Sequence, residues 1–220
     1  MTDVRALARW SSDRSIPSAL AASVLAVAVL VLGPAMVGLR PTKGFLLWNL
    51  FLAWVPFVSA LVAEGLHHDG RRRAAFVAGA VWLLFLPNAP YLVSDLTHLP
   101  AQSATPWLDL ARLVAFAWAG CLLAVASLRL VHGIVADHAG AVAGWLVVGA
   151  ACVLSGVGVA MGRFARLNSW EVFTSPATVA SETVRLFGTQ RAVAVAAFFA
   201  LFVLVTYTGL GGAHRTPTAR

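Results

Sequence analysis

Between Ser15 and Leu39 the chain carries no charged residue, and five further stretches repeat the pattern: Gly44–Ala63, Ala74–Ser94, Leu113–Leu128, Ala139–Gly162 and Ala192–Ala213. A helix needs about 20 apolar residues to cross the hydrocarbon core of a bilayer. Five of the stretches are about that long or longer. The fourth reaches span length only by extending through Leu110 and His132, which requires Arg112 and Arg129 to snorkel. The chain therefore reads as all-α, a polytopic transmembrane helical bundle of about six spans. Its expected partner is the lipid bilayer.

Composition agrees. Charged residues make up 11% and hydrophobic residues 60% of the chain, whereas a soluble domain is about 25% charged. So little polar surface cannot coat a water-soluble globule, and one bundle in lipid is expected over 16–213. A basic arm at 1–15 precedes it and a short tail at 214–220 follows, both expected on the cytoplasmic side. The first apolar stretch sits behind Arg5, Arg9 and Arg14 like a signal peptide, but it is long for an h-region and reads as an uncleaved span. A net charge of +7 could suggest nucleic acid. Most arginines flank apolar spans, however, where topology accounts for them, so no nucleic-acid partner is expected. Cys121 and Cys152 lie inside spans four and five and read as small buried hydrophobes.

Six spans put Arg5, Arg9, Arg14, Arg71, Arg72, Arg73, Arg129, Arg215 and Arg220 on one side. Arg40, Lys43, Arg112, Arg163, Arg166, Arg185 and Arg191 fall on the other, nine against seven. The triplet in the short second loop carries most weight, and it places both termini in the cytoplasm. The expected location is the bacterial cytoplasmic membrane, with multiple passes.

Three polar motifs interrupt the apolar pattern. Trp48-Asn49 through Trp54-Val-Pro56 opens span two. Pro87-Asn88-Ala-Pro90-Tyr91-Leu-Val-Ser94-Asp95-Leu-Thr97-His98 ends span three. Gly162-Arg163-Phe-Ala-Arg166-Leu-Asn168-Ser169-Trp170-Glu171 ends span five. Parity puts all three on one face, the extracytoplasmic one in the assigned orientation, and Trp107 and Asp109 at the start of span four join them. The two prolines each remove a donor and disfavour helix at the preceding residue. Span three is therefore expected to break at Pro87/Pro90, unwinding near Leu86, where Asn88 and the freed carbonyls must find partners or line a polar cavity. Asp95 and His98 share a helix face at three-residue spacing. Arg163 and Arg166 have the same spacing and could grip a phosphate or carboxylate. Ser175, Pro176 and Gly188 bracket an amphipathic pattern that predicts a short interfacial helix before the last span.

These runs resemble the bacterial integral-membrane family labelled domain of unknown function 1361. The matching residues are Trp48 through Pro56, Trp82-Leu-Leu-Phe-Leu-Pro-Asn-Ala-Pro-Tyr91 with Ser94-Asp95-Leu-Thr-His98, and Gly162-Arg-Phe-Ala-Arg-Leu-Asn-Ser-Trp170. The resemblance implies a membrane location. It implies no activity, substrate or cofactor.

The candidate ligand-binding residues are Asn49, Asn88, Tyr91, Asp95, His98, Asp109, Arg163, Arg166, Asn168, Trp170 and Glu171. Structural roles compete for several. Asn168 with Glu171 fits a capping box, Asp109 sits in a first helical turn, and the arginines can snorkel or pair with Asp95, Asp109 or Glu171. The tryptophans fit an interfacial belt. Span five carries Gly140-x-x-x-Gly144 and Gly158-x-x-x-Gly162, a spacing that permits close helix packing. One histidine on this face is a poor metal set, so no metal is expected. No Walker loop, dinucleotide fingerprint, zinc-protease motif or serine elbow is present. No cofactor or catalytic residue is assigned. Three readings stay open: binding or transport of an anionic or lipid-linked ligand, an embedded enzyme acting on a lipid-linked substrate, or an assembly partner of another, unknown membrane protein.

Overall fold

The computed structural model describes residues 15–39 and 43–211, so nearly all of the basic arm and the whole of the tail lie outside the described residues. Helices dominate: α1 Ser15–Met36, α2 Phe45–His68, α3 Arg72–Phe85, α4 Asn88–Ser94, α5 Pro106–Ala139, α6 Ala141–Ala160, α7 Glu171–Thr174, α8 Pro176–Phe187 and α9 Gln190–Gly211. A 3₁₀ turn at Asp95–His98 follows α4, and a π-helical turn at Met161–Ala165 follows α6. Six segments are long and apolar enough to cross a membrane, as expected: Ile16–Met36, Phe45–His68, Arg72–His98, Pro106–Ala139, Ala141–Ala165 and Gln190–Leu210. The protein is a polytopic helical membrane protein.

Span four is the hub. About two thirds (67%) of its most apolar window is buried, against at most 39% in any other span. It packs against α1, α2, α4, α6 and α9. Its 34 residues exceed what the sequence pattern suggests, and both extensions are helical. Arg112 does not snorkel as expected. It is 3% exposed and pairs with Asp109, 3.3 Å away, at an end that Lys43 also covers by reaching Asp109 at 3.6 Å. A buried arginine next to a carboxylate needs no route to water.

Helix α2 ends in a Schellman motif. Gly70 adopts a left-handed φ of 71°, its N–H donates to the His67 carbonyl, and the Arg71 N–H donates to that of Leu66. This closes the hairpin into span three, and α2 and α3 pack together along it. The Gly-x-x-x-Gly pairs serve contacts within the chain. Gly140 forms the corner between α5 and α6, and Gly144 faces His132 on α5. Gly158 and Gly162 leave room for Pro87 and Tyr91.

One expectation about the polar face needs correction. The chain does not unwind at Leu86. Leu86 and Pro87 keep right-handed helical dihedrals, and only the hydrogen-bond ladder lapses between α3 and α4. The Ala89 N–H, the regular helical donor to the Phe85 carbonyl, turns instead to Leu86, whose own donor position is Pro90, and the Asn88 Nδ2 takes up the Phe85 carbonyl at 2.9 Å. Beyond Pro87 helix and 3₁₀ turn continue to His98.

The expected short helix before the last span is α8. Pro176 occupies its first turn and Gly188 follows its end. Ser175 holds the N-cap position without a side-chain bond, and Gly188 keeps a right-handed conformation.

Candidate functional site

The first turn of α2, the end of span three and the end of span five meet at one end of the bundle. Asn49 sits one turn into α2. From there its Nδ2 donates to Oδ2 of Asp95 at 2.8 Å. Asp95 is 1% exposed. It opens the 3₁₀ turn, whose three-residue period stacks i over i+3, and so His98 Nδ1 lies 3.6 Å from Asp95 Oδ1. Arg163 Nη1 approaches the same oxygen at 3.9 Å from the π-helical turn. Among the described residues Asp95 Oδ1 accepts no hydrogen bond. A buried carboxylate oxygen thus faces two basic side chains, each just beyond hydrogen-bond reach.

Asn88 makes the second junction. Besides holding the Phe85 carbonyl, its Nδ2 donates to Ser169 Oγ at 2.9 Å, tying span three to the segment after span five. Tyr91 packs over Gly162, where an added Cβ would stand 3.0 Å from its ring.

These groups border a cavity of about 910 Å³, at the upper end of the range for small-molecule sites. Asn49, Asn88, Tyr91, His98, Arg163, Arg166 and Asn168 line it, and no Asp or Glu does. Arg163 and Arg166 reach it differently from the expected helical pair. Arg166 has a left-handed φ of 57°, which ends the π-helical turn, so the two arginines do not share a regular face. Arg166 is exposed and forms no ion pair among the described residues.

Four of the sequence candidates stand outside the wall: Asp95, directly behind it, and Asp109, Glu171 and Trp170. Asp109 belongs to a separate cluster, where it accepts from Ser103 Oγ at 2.7 Å and pairs with Arg112 and Lys43. Glu171 turns back so that its Oε2 accepts the Asn168 backbone N–H at 2.6 Å, one half of the expected capping box. Trp170 caps α7 by position only, at 36% exposure. The sequence reading missed the apolar part of the wall: Ala80, Leu83, Leu84, Leu154, Val157 and Val179. Nothing in a run of Leu, Val and Ala distinguishes cavity-facing positions from lipid-facing ones. Trp48 and Ser169 were visible in the motifs, and both line the cavity.

No curated protein and no solved structure matches the chain. One family does, the one described as "Protein of unknown function (DUF1361)". Its match runs over residues 48–206, from the tryptophan beside Asn49 to a point deep in the last span, and so takes in every residue of the cavity wall. With most of its length covered, the chain belongs to the DUF1361 family.

Proposed function

We propose that this membrane protein binds an anionic ligand, free or lipid-linked, in the cavity at the Asp95 end of the bundle, and that this end faces outward from a bacterial cytoplasmic membrane. One observation carries the reading: Arg163 and Arg166 line a cavity whose wall contains no acid. Two guanidinium groups on semi-enclosed apolar walls attract a phosphate or carboxylate more strongly than in open water. Asp95, behind the wall, holds Arg163 in place at 3.9 Å without a direct hydrogen bond, leaving donors free for a ligand.

The test is binding of inorganic phosphate and of alkyl phosphates to purified protein, before and after Arg163→Gln and Arg166→Gln. A hydrogen bond to a charged group contributes about 1.5–3 kcal/mol, so each change should weaken binding by roughly tenfold to a hundredfold. Arg185→Gln should do nothing, because Arg185 pairs with Glu182 on exposed α8. Unchanged affinity in both cavity variants would remove the proposal.

A second reading, an enzyme acting on a lipid-linked substrate, draws on His98. It lines the cavity with Nδ1 toward buried Asp95, the arrangement in which a carboxylate orients an imidazole base. Turnover of a lipid-linked phosphate ester, lost in His98→Asn while binding persists, would establish it. Binding without turnover in the unaltered protein would dismiss it.

A further inference from the structure

The cavity is polar at one end only. Asn49, Asn88, His98, Arg163, Arg166 and Ser169 surround its mouth. Further along the spans the wall becomes Ala80, Leu83 and Leu84 on α3 and Leu154 and Val157 on α6. At 1.5 Å of rise per residue, Ala80 lies about 10 Å below Pro87, and Leu154 about 12 Å below Gly162. A free anion would use the mouth and leave this apolar shaft without a partner. The shaft also opens sideways. Helix α6 packs on α5, α9 and α4, and not closely on α3, which borders the shaft opposite it. Leu154 is 46% exposed and Ala80 is exposed too.

Helix α8 frames the mouth. Val179 lines the cavity, while Ala177, Ala180, Val184 and Phe187 form an exposed apolar stripe at helical spacing, with Val184 at 75% and Phe187 at 56% exposure. Such a helix rests in the headgroup plane of a bilayer, which sets the mouth at headgroup level and the shaft at acyl-chain level.

From this polarity gradient we infer that the occupant is an anionic membrane lipid with a phosphate headgroup, entering sideways between α3 and α6, its headgroup on Arg163 and Arg166 and one acyl chain in the shaft. The inference rests on the anion-site reading and narrows it. Charge complementarity selects the headgroup, and the shaft excludes water from the chain.

The experiment measures lipid retained by protein purified in a neutral detergent, using native mass spectrometry. The probes are dioleoyl phosphatidic acid, phosphatidylcholine with the same chains, and inorganic phosphate as competitor. Phosphatidic acid should be retained at least tenfold over phosphatidylcholine, and the combined Arg163→Gln and Arg166→Gln change should abolish the preference. Filling the shaft with Leu154→Trp or Ala80→Trp should reduce retention at least tenfold while leaving inorganic phosphate binding unchanged. Both positions are exposed, so the larger side chains displace no buried neighbour. Phe76→Trp, at a position 78% exposed and away from the cavity wall, is the control and should have no effect. If the shaft variants retain phosphatidic acid fully, or inorganic phosphate displaces it at equal concentration, the ligand is a free anion. The lipid inference then falls and the anion site stands. If the arginine variants keep wild-type retention and phosphate binding, the anion site falls with it.

Discussion

Asn49 donates its amide N–H to Oδ2 of Asp95, 2.8 Å away across 46 residues of sequence, and so locks the start of span two to the end of span three. With Oδ1 already lacking a hydrogen bond, this contact is the one direct hydrogen bond that the Asp95 carboxylate receives among the described residues. Asn49→Leu should therefore leave a buried carboxylate with no direct partner and destabilise the fold by about 1–3 kcal/mol. Thermal melts in detergent measure this. A shift no larger than that of an exposed neighbour such as Trp48→Leu would mean the bond is unimportant.

Asp95 and Arg163 should be energetically coupled. They approach to 3.9 Å from different spans, with Asp95 buried and the Arg163 side chain only 22% exposed. Removing either partner leaves the other poorly solvated, and removing both costs less than the sum. A double-mutant cycle of Asp95→Asn and Arg163→Gln should give a coupling of about 1 kcal/mol or more. Strictly additive losses would show that the pair does not interact.

The Asp109 cluster should govern stability and not ligand binding. Asp109→Asn strands the 3%-exposed Arg112, whose Nε already lacks a hydrogen bond, and a loss of about 3 kcal/mol is expected. Anion affinity of the surviving folded protein should match wild type, since neither residue lines the cavity. A changed affinity at unchanged stability would reverse the assignment.

Close helix packing predicts a sharp contrast between two glycines of α6. A Cβ at Gly156 would stand 2.1 Å from the Ala196 carbonyl oxygen on α9, whereas one at Gly149 meets nothing within 4 Å. Gly156→Ala must push the backbones of α6 and α9 apart, and overpacking of this kind costs about 1–3 kcal/mol. Gly149→Ala should be neutral or slightly stabilising, because Ala is the better helix former. Equal melting temperatures for the two variants would contradict the α6–α9 contact.

Orientation is open to labelling. In a chain freed of Cys121 and Cys152, a cysteine at Gln102 should react with an impermeant reagent from outside, and one at Asp69 should not. Both positions are exposed. The opposite pattern would turn the bundle over, and labelling of both from the same side would break the six-span topology.

The spans were legible because lipid imposes one rule on every stretch, long and poor in charge, and the six spans obey it. The meeting of Asn49, Asp95 and Arg163 was foreshadowed by parity alone, since odd and even loops sort to opposite faces. Parity could not separate Asp109 from Asp95. Both lie at the same end of the bundle, and only the approach of Lys43, Ser103 and Arg112 draws Asp109 into a cluster of its own. Proline rules foretold that Asn88 and freed carbonyls would need partners, but not that Asn88 would take up the Phe85 carbonyl and Ser169 together. The spacing of Arg163 and Arg166 misled, because a helical reading of three residues fails where a π-helical turn ends in a left-handed residue.

Asn88 also limits what the cavity can say to a ligand. Its side-chain amide has two hydrogens, and both have protein partners, the Phe85 carbonyl and Ser169 Oγ. The group it can still offer is its oxygen, which only accepts. A bare anionic oxygen arriving there meets a lone pair, whereas a hydroxyl meets a partner. The wall thus has a polarity of its own, donors at Arg163 and Arg166 and an acceptor at Asn88. A molecule that carries its charge and a hydroxyl some distance apart can satisfy both at once, in one orientation only.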